Sequence, residues 1–221
     1  MITLALDAST YVGDVAILDG ARVLAEENVA MKGAEHERLM PAVATVLTRS
    51  CVDIDSVGRV VCGAGPGSFT SLRIAGAIAK GIASGVGIPL FALPSMALMV
   101  GGADLAPGRY LTVVDALRGE AYVGLYEVRD SEHVFEVEPA RLVPSIEAEE
   151  IAVEYRARTM SPSRELGSIL AHPRARAVAR LEEWLKARGA VDLASWEPAY
   201  GRLAEAQVRW ETTHGKPLPA G

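Results

Sequence analysis

Only two cysteines and four histidines occur among the 221 residues, and they stand apart. Cys51 and Cys62 lack CxxC spacing, and His36, His133, His172 and His214 form no HxxxH, HExxH or Cys–His cluster. This scarcity excludes a disulfide scaffold and a metal centre of recognised spacing, and it casts both cysteines as reduced core thiols. No GxSxG elbow is present for a serine hydrolase. The one glycine-rich turn, Gly63 to Ser68, has no lysine after its last glycine and a serine, Ser68, where a dinucleotide fingerprint needs its third glycine. Neither phosphate cradle fits. There is no basic excess either: the net charge of −6 argues against this chain alone gripping a nucleic-acid backbone. No basic leader or cleavage site precedes the strand pattern at Ile2 to Leu6, so a cytoplasmic location is expected. The one long apolar run, Ile74 to Gly102, is broken by Lys80, Pro89 and Pro94 and reads as helix, turn, strand and helix rather than a membrane span.

What is present is an ordinary globular composition, 50% hydrophobic and 23% charged, with length for one large domain or two small ones. Charge is uneven: residues 154–221 hold 11 Lys and Arg against 8 Asp and Glu, whereas residues 1–153 hold 11 against 20. A solvated helix face accounts for this, and an anionic partner is the alternative.

Along the chain, Ile2 to Leu6 and Asp14 to Leu18 predict a hairpin around Asp7-Ala8-Ser9-Thr10, with a third strand at Arg22 to Val29. Leu39, Met40, Val43, Val46 and Leu47 follow the spacing of an amphipathic helix, with Pro41 in or near its first turn. Val57 to Cys62 is a buried strand, Gly63 to Gly67 a turn, and Ser68 the N-cap of a helix to about Val86. Ile88 to Leu93 closes the order β-β-β-α-β-α-β. An echo follows: Asp7 is reached from Leu4 and leads to Val15, and Asp115 is reached from Thr112 and leads to Val123, each over eight residues. Strand, aspartate, turn, strand occurring twice is the mark of a duplicated α/β fold. Residues 138–164 predict a surface strand and loops, Pro173 to Arg188 a helix ended by Gly189, and Trp196 to Trp210 a helical or turn segment.

Two features carry functional readings. Asp7 and Asp115 either face a shared cleft, holding a metal-bound nucleotide, or satisfy turn amides, and the pattern leaves both open. In the helix after the glycine turn, Leu72, Ala75, Ala79, Ile82 and Val86 predict the sheet-facing side. Arg73, Ala77, Lys80, Gly81 and Ser84 form the other side, small except for two cations. Each interior glycine there costs about 1 kcal/mol relative to alanine. A partner packed on the bare side would explain the pattern, and so would close packing on the helix's own sheet.

The block Gly65-Pro66-Gly67-Ser68-Phe69-Thr70-Ser71-Leu72-Arg73-Ile74-Ala75 resembles the GPGSFTGLRIG signature of the TsaB family, also called YeaZ. Leu6 to Thr10 resembles that family's first strand and turn, and His36 to Pro41 its histidine-to-proline helix start. Ala79-Lys80-Gly81, Ile88-Pro89-Leu90, Asp115-Ala116 and Gly119 to Tyr122 follow in register. Pro198 to Arg202 resembles its PxYxR tail. Ser71 and Ala75 stand in place of glycines, and Gly201 in place of a leucine. The match is dense over residues 2–126 and sparse over 127–195.

The resemblance implies an actin/Hsp70/sugar-kinase-like (ASKHA) fold of duplicated βββαβαβ lobes, with an N-terminal lobe at 1–105 and a smaller, divergent one at 106–221 whose final helix packs back on the first. It implies a non-catalytic role in bacterial threonylcarbamoyladenosine synthesis on tRNA. In that scheme the homologue TsaD performs the transfer and the ATPase TsaE assists. Catalytic relatives carry two metal-binding histidines at positions that correspond here to Ser95 and Met99, a poor ligand pair for a hard cation. No tightly bound cofactor is therefore expected in this chain; ATP and a metal ion belong to the partner subunits, and tRNA is met only through the complex. The docking surface, for TsaD or for self-pairing into a homodimer, is expected at His36, Leu39, Met40, Val43, Arg73, Ala77, Lys80, Gly81 and Ser84. It is flanked by the motif turn Gly65, Pro66, Gly67, Ser68, Phe69 and Thr70. Asp7, Ser9, Thr10 and Asp115 are the candidates nearest any nucleotide. A small-molecule kinase or ATPase of the same fold is the alternative, and a metallopeptidase is disfavoured by the absent histidines.

Overall fold

Strand pairing in the computed structural model, which describes residues 1–31, 37–130 and 133–200, repeats one plan twice. The first sheet contains β1 (Ile2–Asp7), β2 (Val12–Asp19), β3 (Arg22–Ala30), β4 (Val57–Gly63) and β5 (Leu90–Leu93), in the order β3-β2-β1-β4-β5. β1 to β3 form an antiparallel meander, and β4 and β5 add in parallel. The second sheet contains β6 (Gly108–Asp115), β7 (Glu120–Val128), β8 (Val134–Pro144), β9 (Arg158–Ser161) and β10 (Ile169–Leu170), in the order β10-β9-β6-β7-β8. It has the same meander and the same parallel additions. Asp7 and Asp115 close the equivalent strands β1 and β6, as the repeated pattern predicts, and the fold is the duplicated α/β arrangement of the actin/Hsp70/sugar-kinase class.

The helices complete the repeat unequally. In the first unit α1 (Leu39–Ser50) joins β3 to β4, and α2 (Phe69–Val86) joins β4 to β5. In the second, α4 (Ala148–Glu154) joins β8 to β9, and only a loop joins β9 to β10. Between the units runs α3 (Ser95–Gly102), every residue of which is buried.

Burial follows the strand period of two. Leu4, Leu6, Val15 and Ile17 turn to the layer formed by α1 and α2. Ala5, Ala16 and Leu18 turn the other way, into a core shared with α3 and with Tyr110, Tyr122 and Tyr126 of the second sheet. A third cluster lies under α4, around Leu111, Val123 and Leu125. Both faces of the first sheet are thus covered, which is why its strands read as nearly continuous apolar runs. Among the described residues no helix is long and apolar enough to cross a membrane, and Ile74 to Gly102 resolves into helix, strand and helix.

Three sequence expectations need correction. The helix expected over Pro173 to Arg188 is a 3-10 turn, Ala175–Arg180, followed by α5 (Glu182–Arg188), with Leu181 buried at the break. Tertiary bonds override the local pattern. Arg176 donates to the Gly102 carbonyl (2.9 Å), Arg180 donates to those of Gly101 and Ala103 (both 3.1 Å), and the Ala175 N–H donates to Asp14 (2.7 Å). Residues 138–164 are not mainly loop, since β8 runs to Pro144 and α4 and the largely buried β9 follow. Pro139 and Pro144 lie on the edge strand β8, where a missing N–H is tolerated. Residues 196–200 form no helix: after a turn at 193–195 they run as an irregular strap along α2, a segment tied to the first sheet where the Val191 N–H donates to the Leu90 carbonyl (2.8 Å). The rest of the expected Trp196 to Trp210 segment lies outside the described residues.

Two charge clusters tie the 173–188 segment to the first sheet. Arg59 of β4, almost wholly buried, makes a two-pronged pair with Glu182 of α5 (3.0 and 2.6 Å) while its Nε donates to Thr3 (2.8 Å). Arg174 lies between Glu26 of β3 (2.9 and 3.0 Å) and the buried Asp14 of β2 (3.1 Å). Burial, and then the facing Glu26 carboxylate, push Asp14 up to about 8, against the pull of Ala175 N–H and Arg174. The folded chain therefore holds a proton that the unfolded chain releases near pH 4, so Asp14 makes stability fall as pH rises from about 4 to about 8. Urea denaturation at about pH 5 and about pH 8 is expected to show this fall in the wild-type chain and a flatter profile for Asp14→Asn.

Candidate functional site

The glycine turn after β4 is a junction where four parts of the chain meet at glycine distances. Asp7, wholly buried at the end of β1, accepts the N–H and hydroxyl of Ser9 on Oδ1 (both 2.8 Å) and the Ser95 hydroxyl on Oδ2 (2.5 Å). Ser95 Oγ in turn accepts the Gly65 N–H (2.9 Å), and Ser95 N–H donates to the Gly65 carbonyl (3.0 Å). Burial pushes the Asp7 carboxyl up, and the hydrogen bonds from Ser95 and Ser9 oppose it. A Cβ at Gly63 would stand 1.8 Å from Asp7 Oδ2, and one at Gly67 would stand 2.0 Å from the Ser9 carbonyl oxygen. Gly65 combines φ +88° with a Cβ position 2.5 Å from the Ala199 carbonyl oxygen. These three glycines are required by close approach, and at Gly65 also by backbone conformation.

The N–H groups of Ala64, Gly65 and Ser68 are engaged within the chain. Gly65 N–H goes to Ser95 and Ser68 N–H to the Ser9 carbonyl (2.7 Å), while Ala199 N–H reaches back to the Ala64 carbonyl (2.7 Å). A phosphate cradle instead aims such N–H groups at the ligand. Ser68 occupies the N-cap position of α2 without a side-chain cap bond, its Oγ lying 3.1 Å from that of Ser71.

α2 lies between the sheet and the strap. Leu72, Ala75, Ala79 and Ala83 are buried on the sheet side, whereas Ile82 and Val86, expected there too, are only half-buried. Beside them a Cβ on Gly76 would meet Pro198 at 3.1 Å, so this glycine admits the chain's own strap. Lys80 Nζ donates to the Trp196 carbonyl (2.9 Å). The rings of Phe69 and Tyr200 lie 4.6 Å apart, and the Arg73 guanidinium sits 5.1 Å over Phe69. Thr70, Arg73, Ala77, Gly81 and Ser84 are exposed, and nothing lies within 4 Å of a Cβ on Gly81 or Gly85.

Several expected interface residues are placed otherwise. Leu39 and Val43 of α1 are wholly buried in the core under the first sheet and present no surface, because they fall on the apolar stripe that seats the helix. Met40 is 45% exposed. Lys80 is a strap anchor rather than a free cation, and His36 lies outside the described residues. Of the cysteines expected in the core, Cys62 is buried, with burial and the Asp7 charge pushing its thiol up, but Cys51 is exposed at the left-handed C-cap of α1.

Asp7 and Asp115 are not equivalent. Asp115 is exposed and accepts the Leu117 N–H (2.7 Å) in its own turn, where Leu117, Arg118 and Gly119 all have positive φ. Thr10 is buried and donates to the Val12 carbonyl (3.1 Å). Ser95 and Met99 are both buried, the first bound to Asp7 and the second in the inter-sheet core. These donors fit a metal poorly, and among the described residues no group of three or more His, Cys, Asp or Glu stands together. The strap residues Trp196, Pro198, Ala199 and Tyr200 were missed as part of the site. The signal was Gly76, a glycine on the covered side of a helix, which implies close approach.

The contrast between the glycines is testable by chemical denaturation. Gly67→Ala is expected to destabilise by about 3 kcal/mol or more, because the Ser9 backbone has to move. Gly81→Ala, facing open space, is expected to stabilise by about 0.5–1 kcal/mol.

Comparison with known proteins agrees with this geometry. Residues 30–160 match the family model described as TsaD, tRNA N6-adenosine threonylcarbamoyltransferase. The tRNA threonylcarbamoyladenosine biosynthesis protein TsaB of Bacillus subtilis is 29% identical, over 95% of this chain and 98% of that one. The Escherichia coli protein of the same name is 33% identical, over 65% of this chain and 62% of that one. A structure described as YeaZ from Pseudomonas aeruginosa superposes with a TM-score of 0.75 at 25% identity, over 90% of this chain and 99% of that one. With the signature block folded around Asp7 and residues 198–200 docked on it, the chain belongs to the TsaB (YeaZ) family, within the wider group that the transferase model describes.

Proposed function

We propose that the chain takes part in threonylcarbamoyladenosine biosynthesis on tRNA, the role its TsaB relatives are named for, and that it does so as a non-catalytic subunit that binds TsaD. The observation that carries this reading is the outward side of α2. Arg73, Ala77, Gly81 and Ser84 stand exposed along one helix, and a Cβ at Gly81 has no neighbour within 4 Å. The glycine at 76 is accounted for by the strap, so the bare remainder at Gly81 and Gly85 is the part that a second subunit explains. A surface of small side chains lets a second helix approach closely, and Arg73 on Phe69 supplies an anchor at one end.

The assignment of chemistry to TsaD rests on how this chain uses its candidate groups. Both Asp7 oxygens accept bonds from the protein's own serines, and Ser95 is fully engaged between Asp7 and Gly65. ATP and a metal ion are accordingly assigned to the partner subunits, with TsaE acting through the pair and tRNA met by the complex. The same face of α2 serves self-pairing into a homodimer when TsaD is absent.

Ala77→Arg and Gly81→Arg place a long cation on the exposed side. Each is expected to abolish co-purification with TsaD while leaving the thermal transition within a few degrees of wild type, since both positions are exposed. Co-purification unaffected by either change would move the interface elsewhere. Calorimetry of the isolated chain with ATP and magnesium is expected to detect no binding tighter than about 1 µM, and submicromolar binding would favour the kinase reading instead.

A further inference from the structure

The outer layer of the second sheet carries a groove with no part in the reading above. One wall is the helical stretch from Ser145 through α4 to Arg156, the other is the loop Arg164 to Ser168 between β9 and β10, and its volume is about 660 Å³. α4 turns Ala148, Ile151 and Ala152 into the core under the sheet. Helical spacing then places Ile146, Glu149, Val153 and Arg156 on the side that lines the groove. Ile146 and Val153, at 83% and 71%, are the two most exposed large apolar side chains among the described residues.

Arg156, Arg158 and Arg164 line the same groove, and among the described residues none of them pairs with a carboxylate. Their neighbours in sequence differ: Arg174, Arg176 and Arg188 are all matched to glutamates. Arg156 also holds φ 51° at the end of α4, where Ala157 N–H donates to the Ala152 carbonyl (2.8 Å), a position that favours glycine.

Guanidinium groups without a carboxylate partner, that of Arg158 resting 5.8 Å over the Tyr110 ring, stand beside bare aliphatic side chains and form an amphipathic surface with no counterpart among the described residues. A nucleic acid fits it poorly. No aromatic side chain lines the groove for a base to stack on, and Glu149 and Glu165 stand where a phosphodiester chain would pass. Aliphatic contact with arginine beside it is instead the composition of protein interfaces. We propose that this groove docks a short segment of a second protein, presenting aliphatic side chains to Ile146 and Val153 and carboxylates to Arg156, Arg158 and Arg164. The helical wall is roughly 17 Å long at the helical rise, room for about five extended residues or three helical turns. Glu149 and Glu165 restrict the occupant to a few spaced carboxylates, because a continuous acidic run meets like charge. The proposal is independent of the α2 face, which belongs to the first sheet.

The test selects from a displayed library of random peptides about twelve residues long on the full chain, then measures the best peptide by fluorescence anisotropy. The selected sequences are expected to combine Leu, Ile or Val with spaced Asp or Glu. The double variant Arg156→Glu/Arg164→Glu is expected to weaken binding at least about tenfold, with affinity recovered for the peptide in which Lys replaces Glu. Ile146→Ser/Val153→Ser is expected to weaken it similarly without changing its salt dependence. All four positions are exposed, and thermal melts verify that each variant is folded. Selection without acidic enrichment, a peptide that binds wild type and both double variants equally, or displacement of the peptide by an equal concentration of oligouridylate RNA would each overturn the proposal.

Discussion

A buried carboxylate that must be neutralised by its own chain organises this protein. Among the described residues no cation stands beside Asp7; its carboxyl oxygens accept hydrogen bonds from Ser9 and Ser95, and those bonds dictate where their carriers sit. Ser95 opens α3, the helix between the two sheets, and its oxygen also receives Gly65. One side chain thus sets β1, the glycine turn and the central helix against each other. Packing density follows: with Asp7 Oδ2 where a Cβ of residue 63 would be, β4 ends in glycine for want of space. The turn that looks like a ligand cradle in one dimension is a fastening in three.

The duplicated architecture shows what such a fastening does by showing a unit without it. In the second unit the corresponding aspartate, Asp115, is exposed and accepts the Leu117 N–H within its own turn. No helix follows β9, and β10 is two residues long. The first unit keeps its full set of helices and receives the strap as well, so the conserved plan of strands is elaborated on one side and pared down on the other. Segment 173–188 is tied to the first unit through Arg59–Glu182 and Arg174–Glu26, and to the second through Arg188–Glu136 and the Trp184 ring N–H donating to the Val134 carbonyl.

Much of this was legible beforehand. The first unit's elements follow from period-two runs, helical spacing and turn residues, and Asp7 and Asp115 revealed the repeat because both end a short apolar strand. The glycine turn was legible as a strand-to-helix turn with Ser68 at the N-cap position of α2. What failed had tertiary causes. Ala175–Arg180 has helical spacing, yet arginine bonds to the end of α3 wind it more tightly. Ile82 and Val86 seemed bound for the sheet, but Ala83 is buried in their stead. Leu39 and Val43 were expected both to seat a helix and to meet a partner, and one face cannot do both. Lys80 looked like a free cation because its acceptor is a backbone carbonyl, which no side-chain pattern records.

The strap has a consequence for how the protein comes into being. The turn at Ala64–Gly65 is closed by Ala199, and the aromatic pair at the head of α2 by Tyr200, residues far downstream in the sequence. During synthesis from the N-terminus, β1 to β5 emerge and can pair long before residue 199 exists. The first unit therefore spends the interval with Gly76 and Lys80 uncovered, and its motif surface is finished only once residues 196–200 have been made. A surface built from residues 64–76 and 196–200 together therefore exists only once both segments have been made and have folded against each other.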